Sequence, residues 1–212
     1  MSFFKRIFSK PEQQRSLTSA KQLEVNDIIV LSDSFGLPES LRAKQFQVSA
    51  INSYEYETKT QTEWVLSGDN DSEIFLTLDI DDKTYLKFAL KISPAIVETL
   101  FDLDAFGAIF EPPGEAFLER VNEHEQTSMW SSDQYQQDTF AKVGYFHRKD
   151  HRKDQLSQYQ GKDSGEQLDL YVLHDSEQSH GVEIEVWSDG DTDVFLTLYR
   201  PLSDIVDMFP GS

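Results

Sequence analysis

One β-hairpin pattern occurs twice in the chain, and it constrains the fold more than any other feature. Residues 183–187 alternate acidic and apolar side chains, which is the period-two pattern of a half-buried strand. Residues 189–192 combine Asp, Gly and Thr, which suit a tight turn, and residues 194–199 form the second strand. Residues 64–67 and 73–78 repeat this arrangement around another acidic turn. Two occurrences of the same hairpin pattern indicate a sheet built by antiparallel pairing.

The segments around the two hairpins predict an α+β protein that consists mainly of antiparallel sheet. We expect two related bent-sheet modules, small and barrel-like, each closed by a short helix. Residues 112–114 are Pro-Pro-Gly, which interrupt any regular element. The predicted organisation is therefore a basic N-terminal segment and tether at 1–22, a first module at 23–111, a linker at 112–114 and a second module at 115–212. Chance similarity between two ordinary hairpins is the alternative to duplication.

Local signals refine this prediction at three places. We expect a long strand with an irregularity near Ala50, and a helix that begins at Pro94 after the capping residue Ser93. A strand over residues 84–92 would gather apolar side chains on one face: Leu86, Phe88, Leu90 and Ile92. Residues 115–137 carry no clear pattern.

Charge and composition exclude several classes of protein. The 212 residues include 38 acidic and 19 basic side chains, so the net charge is −19 and direct binding to nucleic acid is disfavoured. The simplest interpretation is a solvated acidic surface, and imitation of nucleic acid toward a basic protein is the alternative. With no cysteine, the chain has no disulfide, thiolate metal site or thiol nucleophile. Because no apolar run has the length of a membrane span and no signal peptide is visible, we expect a cytoplasmic protein.

The first ten residues differ in charge from the rest of the chain. At helical spacing they separate an apolar face from a basic face, which is typical of a helix that lies on a membrane surface. The predicted membrane contacts are Phe3, Phe4, Lys5, Arg6, Ile7, Phe8 and Lys10. This stretch resembles the short amphipathic targeting helices of bacterial division-site proteins. The resemblance implies peripheral attachment to the anionic surface of the inner membrane, whereas docking on the protein's own β-core or on a neighbouring subunit is the alternative.

Two sequence patterns could indicate a metal site, namely alternating acidic residues and a pair of histidines. Neither pattern meets the requirements of such a site. Acidic residues alternate in the two hairpin turns, as they do at the start of calcium loops: Asp69, Asp71, Asp189 and Asp191. A calcium loop also needs Gly at its sixth position, where this chain has Ile74 and Val194. We interpret both turns as solvated and predict no metal site.

His147 and His151 have the spacing of a zinc helix, but Arg and Lys residues surround them and would repel a cation. We interpret residues 147–154 as a basic patch that contacts an acidic partner or the protein's own acidic face. We expect His174 to be a hydrogen-bonded histidine at the end of a strand.

The motif search names no catalytic residue and no cofactor. No nucleophile elbow and no phosphate-binding glycine loop is present. We therefore favour a binding or adaptor protein with a protein partner, although the sequence names no partner-binding residues. The alternatives are an enzyme of unrecognised type that uses an acidic site and an acidic mimic of nucleic acid. A buried polar pocket that gathers distant stretches would favour the enzyme, and a broad aromatic patch would favour the adaptor.

A family resemblance adds to this interpretation. It is carried by Leu-x-Val-x-Asp-Ile-Ile at 23–29, by the strands around Trp64 and Trp187, and by the run at 189–201. These segments resemble uncharacterised bacterial domains of the small β-barrel type, which are associated with gene clusters containing phage-shock-like membrane-stress proteins. The resemblance spans residues 23–210 in outline. It implies a β-rich fold and an accessory role, and it provides no catalytic residues.

Overall fold

A computed structural model describes residues 15–68, 73–80, 82–154, 159 and 165–211. These residues contain eleven strands: β1 (Ile28–Leu31), β2 (Gln45–Glu55), β3 (Thr60–Ser67), β4 (Glu73–Ile80), β5 (Thr84–Ile92), β6 (Phe117–Glu119), β7 (Gln134–His147), β8 (Glu166–His174), β9 (His180–Trp187), β10 (Thr192–Pro201) and β11 (Ile205–Phe209). They also contain two α-helices, α1 (Pro94–Leu100) and α2 (Leu103–Gly107). Short 3-10 turns lie at Ala20–Gln22, Ala108–Phe110, Glu125–Thr127 and Leu202–Asp204.

All eleven strands belong to one antiparallel sheet, in the order β11-β1-β2-β3-β4-β5-β10-β9-β8-β7-β6. A further pairing of β2 with β7 joins the two sides of this order, so the eight strands from β2 through β5 and β10 to β7 form a closed ring. The predicted α+β class, mainly antiparallel β, is confirmed. No helix in the described part of the chain has the length and hydrophobicity that a membrane span requires.

Two seams join the first half of the chain to the second. Along one seam β5 pairs with β10 over eight residue pairs, from Ile92↔Val194 to Tyr85↔Pro201. Along the other, only the last three residues of β2 pair with β7, because the beginning of β2 pairs with β1 instead. The two halves therefore contribute strands to the same ring. Residues 112–114 lie between them, and the division into two duplicated modules stays a prediction.

The hydrophobic core lies on one face of this sheet. Alternate residues of neighbouring strands point toward it, and α1 and the segment before β1 cover it. Its central members include Trp64, Leu76, Leu86, Phe88, Ile184 and Leu196, each at most 2% exposed. The predicted face of β5 is confirmed, since Leu86, Phe88 and Ile92 belong to this core and Leu90 packs against it.

The predicted closing helix of the second module is wrong. Both α-helices follow β5, whereas β10 is followed by one 3-10 turn and then by β11. Residues 205–209 extend as a strand because β1 offers them an unpaired edge, with Ile29↔Met208 and Val30↔Asp207 among the pairs. Ile205 and Val206 are β-branched, and β-branched side chains favour an extended backbone.

Candidate functional site

The other face of the sheet lines a cleft inside the ring. Its cavity volume is about 1090 Å³, and its walls come from seven strands of both chain halves: β2, β3, β4, β5, β7, β9 and β10. The sheet curves toward this face. Phe75 of β4 and Phe195 of β10 meet at 5.6 Å between ring centroids across the intervening strand β5, and Phe146 of β7 meets Trp187 of β9 at 5.6 Å across β8.

Glu63 is the first of two acidic side chains buried in this cleft. It stands on β3 next to the core residue Trp64, so strand alternation directs it to the inner face. Its side chain is 6% exposed, and Asn52, directly opposite on β2, donates a hydrogen bond from Nδ2 to Oε1 at 2.9 Å. Burial raises the pKa of Glu63 to about 7, although the Asn52 hydrogen bond and the charge of Lys87 oppose the rise.

Glu185 is the second buried acid, and it comes from the other half of the chain. It stands on β9 between the apolar-face residues Ile184 and Val186 and is 6% exposed. Burial raises the pKa of Glu185 to about 8, and the nearby charge of Glu63 adds to the rise, while the nearby hydroxyl of Tyr54 opposes it. The carboxyl groups of Glu63 and Glu185 therefore lie close enough for the ionisation of one to disfavour that of the other.

A third acid of the inner face, Glu183, forms a buried ion pair with Lys87. Lys87 of β5 donates to both oxygens of Glu183 at 2.6 and 2.7 Å, and the two side chains are only 12% and 14% exposed. Lys87 is thereby committed to Glu183. Among the described residues, no cationic side chain forms an ion pair with Glu63 or Glu185. Buried acids are seldom left without such a partner.

A second polar cluster lies where β8 ends. His174 contacts Asp138 through Nδ1, and its Nε2 lies 2.9 Å from the hydroxyl of Tyr199. Burial alone would lower the pKa of His174, but its hydrogen bond with Asp138 and that residue's charge outweigh burial and raise it. The prediction of a hydrogen-bonded histidine at a strand end is confirmed.

Residues 148–153 at the mouth of the cleft contain four cationic side chains. Each of these cations has an acidic neighbour within this chain. The ion pairs are Arg148 with Glu166, Lys149 with Asp154, Arg152 with Asp150, and Lys153 with Glu24. These pairs are contacts with the protein's own acidic residues, which is one of the two interpretations of this basic patch, and contact with an acidic partner stays a prediction. These acidic neighbours offset part of the positive charge of the patch.

Those metal candidates that lie in the described part of the chain do not form a metal centre. Asp189 and Asp191 lie in the exposed turn between β9 and β10, where the amide of Asp191 donates to Asp189, and Asp69 and Asp71 lie outside the described residues. His147 and His151 have ring centroids 4.9 Å apart, but His147 ends a strand and His151 lies in the loop that follows it. Within the ranges that the structure describes, no three potential ligands converge on a point suited to a metal ion.

The predicted membrane residues also lie outside the described part of the chain: Phe3, Phe4, Lys5, Arg6, Ile7, Phe8 and Lys10. Their proposed role is therefore carried by the sequence pattern alone.

The sequence analysis missed Glu63 and Glu185 as site residues. Both belong to alternating strands in which the acidic side appeared to face water, and only the closure of the ring encloses that side. One feature of the sequence indicated their burial in part. Each acid lies within a strand, next to a buried apolar residue, and not in a turn. Comparison of the chain with protein-family models, with curated proteins and with solved structures finds no match.

Proposed function

We propose that this chain is a binding protein whose inner cleft takes a small-molecule ligand. The single observation that carries the proposal is a cleft of about 1090 Å³ that ends on two buried acids, neither of which forms an ion pair with a cation of the described residues. Pockets for small ligands have about this size, and they combine apolar walls with a few converging polar groups. Aromatic walls and the Glu63 and Glu185 carboxyls provide both elements here.

A library of small molecules screened by thermal unfolding tests this function. A ligand present at ten times its Kd stabilises the folded protein by about 1.4 kcal/mol, which raises the Tm of a chain of this size by about 3–6 °C. Ala50→Trp fills the cleft from β2 and should abolish these shifts. Gln47→Trp is the matched control, since Gln47 is exposed on the same strand and should leave them unchanged. Shifts that survive Ala50→Trp would place the ligand elsewhere and refute the proposal.

An enzyme that uses an acidic site is the second candidate, and one observation favours it. Glu63 and Glu185 have pKa values of about 7 and about 8, which suit proton transfer near neutral pH. The cleft also gathers side chains from distant stretches of the chain, which is the feature that favours an enzyme. A compound found by the screen should then be consumed by the wild type and persist with Glu63→Gln, whereas a ligand of a binding protein persists with both.

We further propose that the protein works in the cytoplasm as a binding or adaptor protein at the inner membrane, with a protein partner. Exposed large apolar side chains on the described surface are candidate contacts for a protein partner: Phe35, Leu103, Phe117, Val121 and Val206. The support for the membrane is the amphipathic pattern of residues 1–10. The resemblance to proteins from membrane-stress gene clusters agrees with this place of action.

Vesicle co-sedimentation tests the membrane contact. The full chain should bind anionic vesicles, and high salt or Phe4→Asp should release it, because binding needs both the cations and the buried aromatic rings. Phe35→Asp is the matched control, since Phe35 is an exposed aromatic residue outside the segment. If removal of residues 1–10 leaves vesicle binding unchanged and lowers the Tm, the segment belongs to the protein core.

A further inference from the structure

The inner end of the cleft holds more carboxyl groups than the cations of the described residues pair with. Three acids, Glu63, Glu183 and Glu185, face one cation, Lys87, and that cation is bound by Glu183 through both carboxylate oxygens. The remaining two acids come from β3 and β9, so the fold brings them together from opposite halves of the sequence.

A polar atom without a partner lies in the same place. The hydroxyl oxygen of Thr77 on β4 finds no hydrogen-bond partner among the residues that the structure covers, and the side chain is 5% exposed. Thr77 lines a small inner cavity of about 20 Å³, whose wall includes Glu63 and Glu185. A buried hydroxyl in this position offers an acceptor for a donor group that enters the cleft.

Aromatic rings surround the approach to these acids. Phe75 and Phe195 meet edge to face on one side, while Tyr54, Phe146 and Trp187 form a continuous row on the other. The Tyr54 and Phe146 centroids are 5.0 Å apart. The faces of aromatic rings attract cations, and aromatic walls combined with carboxylates are the usual surroundings of bound ammonium groups.

We propose that the cleft binds an organic cation with an apolar body, whose ammonium group lies between Glu63 and Glu185 and whose body packs against the aromatic walls. The inference rests on the proposed ligand-binding function and names the class of ligand. A small anion would find no unpaired cation among the described residues at this end of the cleft, since Lys87 is bound to Glu183, and it would be repelled once the carboxyls ionise. A metal ion would gain little from the aromatic walls, and the described residues provide no three-ligand cluster for one.

Binding of such a cation is coupled to proton release. In the free protein the two carboxyls titrate near neutral pH, under the influence of Tyr54, Tyr56, Asn52, Lys87 and Glu183, which face them from β2, β5 and β9. A cation stabilises the ionised carboxyls and lowers their pKa, so each binding event expels a proton. The affinity must therefore rise with pH across the neutral range, as long as the ligand stays protonated.

Calorimetric titration with two compounds of nearly equal shape tests the inference. Phenethylammonium carries the positive charge, and phenethyl alcohol replaces it by a neutral hydroxyl. Both compounds are titrated into the full chain at about pH 6 and about pH 8. Their final concentration is about 10 mM, tenfold above a Kd of about 1 mM, so that binding as weak as this is measured. At about pH 8, phosphate and HEPES buffers, which differ in ionisation enthalpy, report the released proton.

We expect phenethylammonium to bind at least tenfold more tightly than phenethyl alcohol at about pH 8, and to lose at least tenfold in affinity at about pH 6. Glu185→Gln should weaken the binding of the cation about tenfold and remove most of its pH dependence. Glu63→Gln provides an independent variant with the same expected result. Glu73→Gln is the control, since Glu73 is an exposed acid at the rim of the same cleft and should change the affinity less than about twofold.

Two results overturn the inference. If the alcohol binds as tightly as the cation and Ala50→Trp abolishes both, the cleft binds ligands without preferring cations, so the proposed function stands and the inference fails. If neither compound binds in this range, the cation preference also fails, and the screen with the Ala50→Trp variant decides the proposed function independently.

Discussion

Raising the pH through the neutral range is expected to destabilise the folded protein, because it ionises two carboxyls inside the cleft. The pKa of Glu63 is raised by burial from 4.5 to about 7 in the folded protein. The stability that comes from its neutral form is therefore fully present below about pH 4.5 and is lost as the pH rises through about 7. Glu185, with a pKa of about 8, has the same sign and extends the loss to higher pH.

The size of the effect follows from the displacement of the pKa. For Glu63 the difference between 4.5 and about 7, at about 1.4 kcal/mol per pH unit, corresponds to roughly 3 kcal/mol. Because the charge of Glu63 also raises the pKa of Glu185, the contributions of the two residues are not additive. Glu63→Gln keeps the shape of the neutral side chain and cannot ionise. This variant should become more stable than the wild type as the pH rises, by up to roughly 3 kcal/mol at about pH 9.

Urea unfolding of the wild type and of Glu63→Gln between about pH 5 and about pH 9 measures this difference. Titrating groups away from Glu63, including His174, act equally in both proteins and cancel when the free energies of unfolding are subtracted. Glu73→Gln, at the exposed rim, should follow the wild type at every pH. If the free energy of unfolding depends on pH in the same way for the wild type and for Glu63→Gln, Glu63 is not a buried, unpaired acid. The description of the cleft would then fail.

Three further changes test other parts of the fold. Asp138→Asn should lower the pKa of His174, measured by NMR, because it removes the charge and hydrogen-bond partner that raise it; an unchanged pKa would contradict the pairing. Asp27→Ala should cost about 3 kcal/mol in urea unfolding, because this fully buried carboxylate accepts hydrogen bonds from the amides of Glu24 and Gly211 at 2.7 and 2.8 Å. Phe88→Ala should cost about 3–5 kcal/mol, since its side chain is 0% exposed at the centre of the core, and a loss below about 1 kcal/mol would argue against that position.

Sequence reasoning succeeded where the pattern is local. The helix α1 begins at Pro94 as predicted, although the Ser93 side chain makes no capping hydrogen bond. The irregularity near Ala50 is confirmed as a register shift between Val48 and Ala50, and the β9–β10 hairpin spans the acidic turn as expected. Each of these features depends on residues that are close in the chain, where backbone preferences and side-chain alternation leave a visible pattern.

The cleft could not be predicted because it depends on pairings between distant strands. Neither the eight-pair seam of β5 with β10 nor the three-pair seam of β2 with β7 leaves a periodic signal in the sequence. Alternation correctly placed Glu183 and Glu185 opposite the apolar core, but it could not distinguish a face in water from a face enclosed by the ring. The same limitation explains β11, whose extended backbone depends on the free edge of β1.

The central claim is that two unpaired acids from opposite halves of the chain lie at the inner end of a ligand cleft. Carboxyl-carbon NMR of the glutamate-labelled protein, titrated with acid and base, tests it most directly. Two glutamate resonances should titrate with midpoints of about 7 and about 8, and they should be assigned by their loss in Glu63→Gln and Glu185→Gln. Saturating phenethylammonium should move both midpoints to lower pH, because the cation stabilises the ionised carboxyls. If every glutamate in the free protein titrates below about pH 5, near the ordinary value for an exposed glutamate, the buried acid pair does not exist and the account is contradicted.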